Sequence, residues 1–334
     1  MDSFTLNKIE WDAIRRILAE FCSCSLGKDL AWRISPSRNP QVIVKWLEQV
    51  TQMESAIAYA GLPPFGSVVS IAAALSHAVP GGGATGDEYA MIAGTLEGAG
   101  NVKKYLAALG EEFSRLHELA AGITDFQSEI NAVWSIIEKD GRVKDSASLR
   151  LAEIRRQIQE TAQHIHDVIY GYLRNPEVAK LLQNVNVTLH GDRYVLPVRQ
   201  ENRGRLSGVV HRESNSGSTV FVEPTQCVEL NNQLCDLYED ERNEVRRLLN
   251  QLAIRINARI EDIGATLRML AQVDIISAKA QYSYQFNMTC PEIVERGPLV
   301  FNQARHPLLI AQAHRQERSG VPAEQRHAVV PIDV

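Results

Sequence analysis

The feature that most constrains the fold is a run of short alternating segments between residues 184 and 223. Val185, Val187 and Leu189 alternate with polar residues, which is typical of a strand with one buried face. Three similar segments follow, and Pro197 in the first of them favours a sheet edge or a bulge. We expect a four-stranded antiparallel sheet that must pack on helices, because so small a sheet is not a domain by itself. The three further strands are predicted at Tyr194–Val198, Leu206–His211 and Thr219–Val222.

Two long helical patterns bracket this sheet. Upstream, apolar residues recur at alternating spacings of three and four, as they do where one helix packs on another. Downstream, Pro224 suits the first turn of a helix, and one apolar face then continues for about forty residues. The sequence therefore predicts an arm that runs out, turns through the sheet and returns. The upstream face is Leu151, Ile154, Ile158, Thr161, Ile165, Val168 and Tyr172; the downstream face includes Leu230, Leu234, Leu248, Ile256, Ile263 and Leu267.

The rest of the chain is also predicted to be mainly helical. Apolar periodicity indicates helices through residue 138, with Asp145 or Ser146 as a candidate cap of the outgoing arm helix. Val273–Tyr284 has apolar residues on more than one face, so we expect a helix buried among others. From residue 291 to 334 the pattern changes to short strand-like pieces, with a polar stretch at 312–326.

Composition places limits on the class of protein. The chain has 334 residues, enough for two or three domains. Its formal net charge of −5 means that a basic, nucleic-acid-binding surface would have to be local. The N-terminus has no signal-peptide pattern and no apolar run is long enough to span a membrane. Five scattered cysteines without CxxC spacing indicate free thiols in a reducing cytoplasm rather than a zinc site.

No catalytic or metal-binding pattern stands out. The glycine-rich segment 80–87 lacks the lysine and hydroxyl of a Walker A loop, and a plain interhelical loop is the better interpretation. Ser25–Lys28 fails the same test, because Asp29 follows where Ser or Thr is needed. His164 and His166 are two apart on a helix, so they face different ways. We therefore predict no catalytic residue, no metal site and no bound cofactor for this part of the protein.

A local cluster of arginines is the clearest candidate for binding. Five arginines lie between residues 193 and 212 against one acid, Glu201. Arginine at the tip of an arm can bind phosphate by charge and forked hydrogen bonds without reading a base sequence. The alternative is an ordinary solvated strand. Phe221 and Tyr194 are interpreted as core residues rather than a stacking platform, and pairing of His190 or His211 across strands is left open. The candidate nucleic-acid-binding residues are Arg193, Arg199, Arg203, Arg205 and Arg212.

Several segments resemble one protein family. The run DRYVLPVRQENRGRLSGVVHRESNSGSTVFVEP, followed by VELNNQL, resembles the clamp region of the MutS family, and most closely its bacterial MutS-two subfamily. The likeness continues over nearly the whole chain. It includes IEWDAIRRILAEF and SLGKDLAWRISPS near the start, EKDGRVKDSASLRLAEIRRQI before the arm, LAQVDIISAKAQYS after it, and FNQARHPLL and VVPIDV near the end.

This resemblance implies a domain plan. We expect a helical core and lever domain at 1–139, and an arm with its clamp at 140–265 whose β tip spans about 184–223. A returning core helix at 266–297 and the beginning of the ATPase domain at 298–334 would follow. The chain would then stop before Walker A, so neither Walker A, Walker B nor a nuclease domain is expected here. The fold class implied is mainly α, with a helical core and lever, and a long antiparallel arm tipped by a small four-stranded β clamp.

The resemblance also implies a function. A MutS-two protein would grip branched or recombination-intermediate DNA as a homodimer and restrain homologous recombination, using ATP and Mg²⁺ in its full-length form. A C-terminal Smr endonuclease can accompany it. In that form Val329 and Val330 would border the adenine pocket. Two alternatives remain: a factor that binds collided ribosomes, and a structural coiled-coil interaction module. We expect a cytoplasmic location, no membrane partner and no enzymatic activity of this fragment alone.

Overall fold

The computed structural model describes residues 3–214, 217–294, 297–320 and 328–334. Within these ranges the chain has 13 α-helices and one small four-stranded antiparallel sheet, which confirms the predicted fold class. The helices are α1 (Ser3–Lys8), α2 (Trp11–Phe21), α3 (Ser25–Ala31), α4 (Pro40–Ala60), α5 (Ala72–His77), α6 (Gly86–Ala107), α7 (Ser114–Ala121), α8 (Gln127–Ile136), α9 (Leu149–Arg174), α10 (Pro176–Ala179), α11 (Thr225–Asn257), α12 (Ile260–Gln285) and α13 (Pro307–Arg318). The strands are β1 (Thr188–His190), β2 (Arg193–Arg199), β3 (Gly208–Glu213) and β4 (Thr219–Pro224).

The chain divides into two compact units. The first comprises the described residues of Met1–His77, Glu88–Asn131 and Arg255–Val334. The second comprises the described residues of Ala78–Asp87 and Ala132–Ile254. Each unit has its own hydrophobic core.

Helix α12 is central to the core of the first unit. It packs against α2, α3 and α4, and its buried residues include the consecutive pair Ile275 and Ile276 as well as Val273 and Ala278. Consecutive buried positions cannot all lie on one narrow stripe of a helix, so neighbours surround α12. The buried helix predicted from Val273–Tyr284 is confirmed.

Asp274 is a fully buried carboxylate of α12 that holds the turn before α3. Its oxygens accept the backbone N–H groups of Ser23 at 2.9 Å and Cys24 at 3.0 Å, and the Cys24 thiol at 3.2 Å. Gly27 makes this close approach possible, because a Cβ there would lie 2.1 Å from Asp274 Oδ2. Burial, reinforced by the charge of Asp274, raises the pKa of the Cys24 thiol to about 12. The thiol is therefore protonated and unreactive at neutral pH.

The predicted return helix is broken in two. The sequence predicts one continuous apolar face from Leu230 to Leu267, whereas α11 ends at Asn257 and α12 begins at Ile260. Arg259, at the break, has φ −116° and ψ 15°. Buried Ile256 and Ile263 are seven residues apart, so the heptad spacing continues across the break and periodicity alone could not reveal it.

Side-chain contacts hold Arg259 in this position. Its guanidinium donates to Asp262 at 2.8 Å, pairs with the buried Glu129 at 3.6 Å, and lies 5.3 Å above the centre of the Phe126 ring. A charged pair and a cation–π contact of this kind favour one side-chain geometry over the alternatives. They explain how a break without glycine or proline is stabilised.

The C-terminal region contains a helix where the sequence suggests strand-like pieces. Helix α13 begins at Pro307, which suits a first helical turn, and the His306 ring accepts the Leu308 N–H at 3.3 Å. This helix covers the first part of the polar stretch predicted at 312–326, of which residues 321–327 lie outside the described residues. Two short backbone pairings, Phe301 with Val334 and Ala304 with Ile332, follow the strand-like pattern. The first of them has N···O distances of 2.7 and 2.9 Å.

Two long helices, α9 and α11, frame the core of the second unit. The predicted interruption at Asn175–Pro176 is confirmed, since α9 ends at Arg174 and Asn175 Oδ1 accepts the Glu177 N–H. One face of the sheet packs between these helices, as an amphipathic sheet requires. The fully or nearly fully buried members of this core are Ile165, Ile169, Leu182, Leu196, Val198, Leu206, Val220, Val222, Cys227 and Leu234.

The cap of α9 differs from the prediction. Ser148, not Asp145 or Ser146, is the N-cap, and its hydroxyl accepts the Leu151 N–H at 3.0 Å. Asp145 and Ser146 instead belong to a short 3₁₀ turn, where Asp145 pairs with Arg155. The choice between three nearby polar residues depends on this turn, which local propensity does not specify.

The Ser148 cap also connects α9 to α11. Its hydroxyl donates to Glu244 at 2.7 Å, and Glu244 is 2% exposed. Arg247 donates two hydrogen bonds to the same carboxylate, at 2.8 and 2.7 Å. The bonds from Arg247, opposed by burial and aided by Ser148, lower the pKa of Glu244 to about 2. The two helices that carry the sheet are thus joined by a buried, ionised side chain.

The strand order is β1-β2-β4-β3, with every neighbouring pair antiparallel. Pro197 therefore lies in an inner strand, and the prediction of an edge or bulge position is wrong. Its carbonyl accepts the Gln183 N–H at 2.8 Å, on the side away from β4. Since N and C=O of a strand residue point the same way, its missing N–H is not needed by β4. The bulge lies in β3, between Val210 and Arg212.

We expect Glu244→Gln to lower the free energy of unfolding by about 1–3 kcal/mol at neutral pH, because charged hydrogen bonds across two helices are weakened. A carboxylate whose folded-state pKa is depressed contributes stability only while it is ionised. The deficit should therefore stay constant at higher pH and shrink as pH falls from the ordinary value of 4.5 towards about 2. Urea titrations followed by circular dichroism at several pH values measure it.

Glu239→Gln is the matched control, since Glu239 is an exposed acid of the same helix. It should change stability by less than about 0.5 kcal/mol. A Glu244→Gln deficit that stays unchanged at low pH would contradict the role given to this carboxylate.

Candidate nucleic-acid interface

The sheet has a core face and an outer face, and the strand register assigns residues to each. Leu196 and Val222 lie in the core, so the residues beside them in sequence point to the opposite side. Directly paired residues share a face, which places Arg212 beside Phe221 and His190 beside Arg193. We call this opposite side the outer face; it includes His190, Arg193, Arg199, Arg212 and Phe221, together with the buried Val195, Pro197 and Glu223.

Glu223 is a buried carboxylate, and the outer face is built around it. Its side chain is 1% exposed. Arg193 Nη1 donates to it at 2.9 Å, Asn231 Nδ2 at 2.8 Å and His211 Nε2 at 2.5 Å. A carboxylate can only accept, so all three partners act as donors. A charge out of water requires such partners to avoid a large desolvation cost.

Two adjacent asparagines of α11 complete this network. Asn231 also bonds the backbone of Tyr194 twice, accepting its N–H at 3.0 Å and donating to its C=O at 3.1 Å. Asn232 Oδ1 accepts from Arg193 Nη2 at 2.6 Å. These asparagines are the central pair of the VELNNQL motif. Sequence reasoning did not assign them a role, although Glu223, an acid between Val222 and Pro224 in an apolar strand, was a usable signal.

Arg193 is consequently tied into the sheet. Its guanidinium binds Glu223 and Asn232, and the side chain is 28% exposed. The guanidinium therefore makes its hydrogen bonds within the fold. Its partners indicate a structural role for Arg193, and a role in binding nucleic acid stays a prediction.

Two more of the candidate arginines are partly engaged. Arg203 Nη1 donates to Glu213 at 2.7 Å, and both side chains are about half exposed. Arg199 Nε donates to the Leu182 carbonyl at 3.1 Å, while its Nη1 lies 3.9 Å from Glu201. Exposed ion pairs of this kind contribute little energy and exchange readily with other partners.

Arg205 and Arg212 are the arginines most available for a ligand. Both are exposed, and their side chains have no hydrogen-bond or ion-pair partner among the described residues. Gly204 has φ 87°, which suits glycine and turns the chain sharply between Arg203 and Arg205. Arg212 lies in the edge strand β3, all of whose residues are exposed.

The fold therefore reduces the basic surface that the sequence suggests. Counting between residues 193 and 212 finds only one acid, Glu201. Glu213 and Glu223, just beyond that window, pair with Arg203 and Arg193 in space. The cations that remain are Arg205 and Arg212, followed by Arg199.

Aromatic side chains are distributed differently from the sequence interpretation. Tyr194 packs against the core cluster, as expected. Phe221 does not: it lies half-buried on the outer face, and the core interpretation is wrong for this residue. Its ring stacks on His190 with centroids 5.7 Å apart and an interplanar angle of 2°. His211 pairs across the strands with Glu223, which the sequence left open.

The other sites considered from the sequence are a nucleotide pocket, a metal site and a membrane span. Val329 is partly buried and Val330 is 74% exposed, and their place at a nucleotide pocket stays a prediction. Within the same ranges, no group of three or more His, Cys, Asp or Glu side chains is placed to hold a metal ion. No helix described here is both long and apolar enough to cross a membrane.

Comparison with known proteins identifies the family. No family model matches the chain. The Endonuclease MutS2 of Geobacillus sp. (strain WCH70) is 34% identical across 92% of this chain, and that of Halalkalibacterium halodurans is 33% identical across 98%. The Endonuclease MutS2 of Clostridium botulinum (strain ATCC 19397 / Type A) is 30% identical across the whole chain. The chain belongs to the MutS2 family. The resemblance seen in the sequence is thereby confirmed.

The MutS2 relatives are longer proteins. The chain spans 40% of the length of each of these three relatives. Similarity extends over nearly all of this MutS2 chain, so the sheet and both framing helices lie within the shared part. The activity named for the relatives refers to the longer proteins.

We expect Arg193→Ala to destabilise the chain by about 2–3 kcal/mol, because it leaves the buried Glu223 carboxylate with fewer donors. Arg205→Ala, its matched control, removes an exposed side chain and should change stability by less than about 0.5 kcal/mol. Urea unfolding followed by circular dichroism measures both variants. Equal stability of the two variants would show that the Glu223 network does not hold the sheet.

Proposed function

We propose that this chain is the part of a MutS2 protein that grips the DNA backbone. In this proposal Arg205 and Arg212 bind phosphates directly, and Arg199 and Arg203 add to the local positive charge. The observation that carries the proposal is that Arg205 and Arg212 are exposed and have no side-chain partner among the described residues, whereas Arg193 and Arg203 pair with acids. Guanidinium groups bind phosphate oxygens with two parallel hydrogen bonds.

The arrangement suits binding that depends on DNA shape rather than base sequence. Arg205 projects from a turn and Arg212 from a short edge strand, whereas reading bases requires an element that enters a groove. Contacts to phosphates position a protein on DNA without specifying a sequence. A branched DNA, such as a four-way junction, offers phosphates from several directions and is the substrate we propose.

The same proposal assigns parts to the rest of the chain. Residues 1–139 and 266–297 would form the core and lever, 140–265 the arm and clamp, and 298–334 the start of an ATPase domain. The short backbone ladder near the C-terminus supports the last assignment, because Leu299, Val330 and Ile332 beside it are exposed apolar residues. Strands of this kind are stabilised when further strands or helices cover them.

For the whole protein we propose an ATP-dependent homodimer that holds recombination intermediates and restrains homologous recombination. ATP and Mg²⁺ would bind in the ATPase domain, with Val329 and Val330 at the border of the adenine pocket. The names of the relatives agree with action on nucleic acid.

Salt titrations of binding test the grip. We expect affinity for a four-way junction to fall steeply with salt, because each neutralised phosphate releases condensed counterions. The double variant Arg205→Ala/Arg212→Ala removes two such contacts, so the slope of log affinity against log salt should decrease by about two units. Fluorescence anisotropy on junction, duplex and single-stranded DNA measures these slopes.

Glu213→Gln is the opposing control. It removes the acid that pairs with Arg203, so junction affinity should rise at low salt. If the wild-type chain binds no DNA but sediments with ribosomes, the proposed DNA partner is wrong and the ribosome is the partner instead. An unchanged salt slope in the double variant would contradict the assignment of Arg205 and Arg212.

A further inference from the structure

The aromatic pair on the outer face has no task in gripping a DNA backbone. Phe221 is the only residue of β4 that is not fully buried. Its ring lies parallel to that of His190, which is likewise only partly buried. Aromatic side chains on a sheet are usually stabilised when other residues cover them. A pair that stays partly accessible to solvent can instead bind a ligand with a flat apolar surface.

A free cation lies next to this pair. Arg212 is directly opposite Phe221 in the register between β3 and β4. It is exposed and has no side-chain partner among the described residues. The one acid of the outer face, Glu223, is buried and already bound to three donors. The exposed charges of the outer face are therefore those of Arg199 and Arg212, while the nearby acids Asp192 and Glu213 pair with Arg242 and Arg203.

A stacking surface beside a positive charge matches one ligand class. Nucleobases stack on aromatic rings, and the phosphate between two bases binds an adjacent arginine. In a duplex the bases are already stacked on each other, so only unpaired nucleotides can use such a surface. Antiparallel sheets with exposed aromatic residues bind single-stranded nucleic acid in this way.

We propose that the outer face of the sheet is a binding site for unpaired nucleotides. A base stacks on the His190–Phe221 pair, and Arg212 binds a neighbouring phosphate. This inference rests on the proposed function, because both place nucleic acid on the same sheet. It adds a preference for DNA or RNA with single-stranded segments, such as gaps or the unpaired centre of a branch.

The free edge of β3 is a weaker candidate for an interaction site. All residues of this strand are exposed, and Val209 and Val210 add apolar surface. The bulge between Val210 and Arg212 interrupts the hydrogen-bonding pattern that another strand would need. Bulges are a common means of protecting an edge from strand addition.

The test measures the affinity of the chain for fluorescein-labelled oligothymidine, oligouridine and a DNA duplex of equal length. Phe221→Leu keeps an apolar side chain but removes the ring. We expect it to weaken binding of both single strands about tenfold, with no change in duplex affinity or in salt slope. Phe221→Trp retains an aromatic surface and should restore single-strand affinity.

Each outcome decides between the two proposals. If Phe221→Leu leaves single-strand affinity unchanged while Arg205→Ala/Arg212→Ala lowers the salt slope on duplex DNA, the stacking site is overturned and the backbone grip stands. An equal loss on single strands and duplex, without rescue by Phe221→Trp, shows a structural role and also overturns the stacking site. If the unchanged chain binds a four-way junction but neither single strand, the stacking site is overturned and the backbone grip stands. If it binds neither the junction nor any of the three probes, both proposals are overturned.

Discussion

The buried charge of Glu223 is the constraint on which the sheet depends. A carboxylate shielded from water costs several kcal/mol unless donors surround it, and here the donors come from three separate elements. Arg193 belongs to β2, His211 to the edge strand β3, and Asn231 to helix α11. Satisfying this one side chain therefore requires the strands and the helix to meet in a single arrangement. Asn231 extends the constraint by bonding both backbone groups of Tyr194.

The same network separates arginines that maintain the fold from arginines available to a ligand. Arg193 forms an ion pair with Glu223, and Arg203 forms one with Glu213. What remains for phosphate is a small positive surface around Arg205 and Arg212. A surface of that size suits DNA binding that depends on a few phosphate contacts and whose affinity falls as the salt concentration rises. A net charge of −5 for the whole chain is compatible with such a grip, because long-range attraction is not needed once contact is made.

Much of this fold could be predicted from residue patterns, and the errors have physical causes. The four strands and the helices around them follow from apolar spacing and turn residues, which are local signals. The break at residues 258–259 could not be predicted, because a heptad spacing continues across it. The missing N–H of Pro197 favours an edge or a bulge, whereas an inner strand tolerates proline when that N–H would point away from the neighbouring strand. Phe221 was assigned to the core by residue type, although the register places it on the outer face. The pairing of Arg193 with Glu223, 30 residues apart, depends on tertiary structure.

The most direct test of the account is to map which arginines DNA protects. The chain is treated with phenylglyoxal, which modifies accessible guanidinium groups, in the presence and absence of four-way-junction DNA, and peptides are analysed by mass spectrometry. The account predicts that junction DNA protects Arg205 and Arg212 and leaves the reactivity of Arg193 unchanged, because Arg193 is bound within the sheet in both states. Protection of Arg193 without protection of Arg205 and Arg212 would contradict the account.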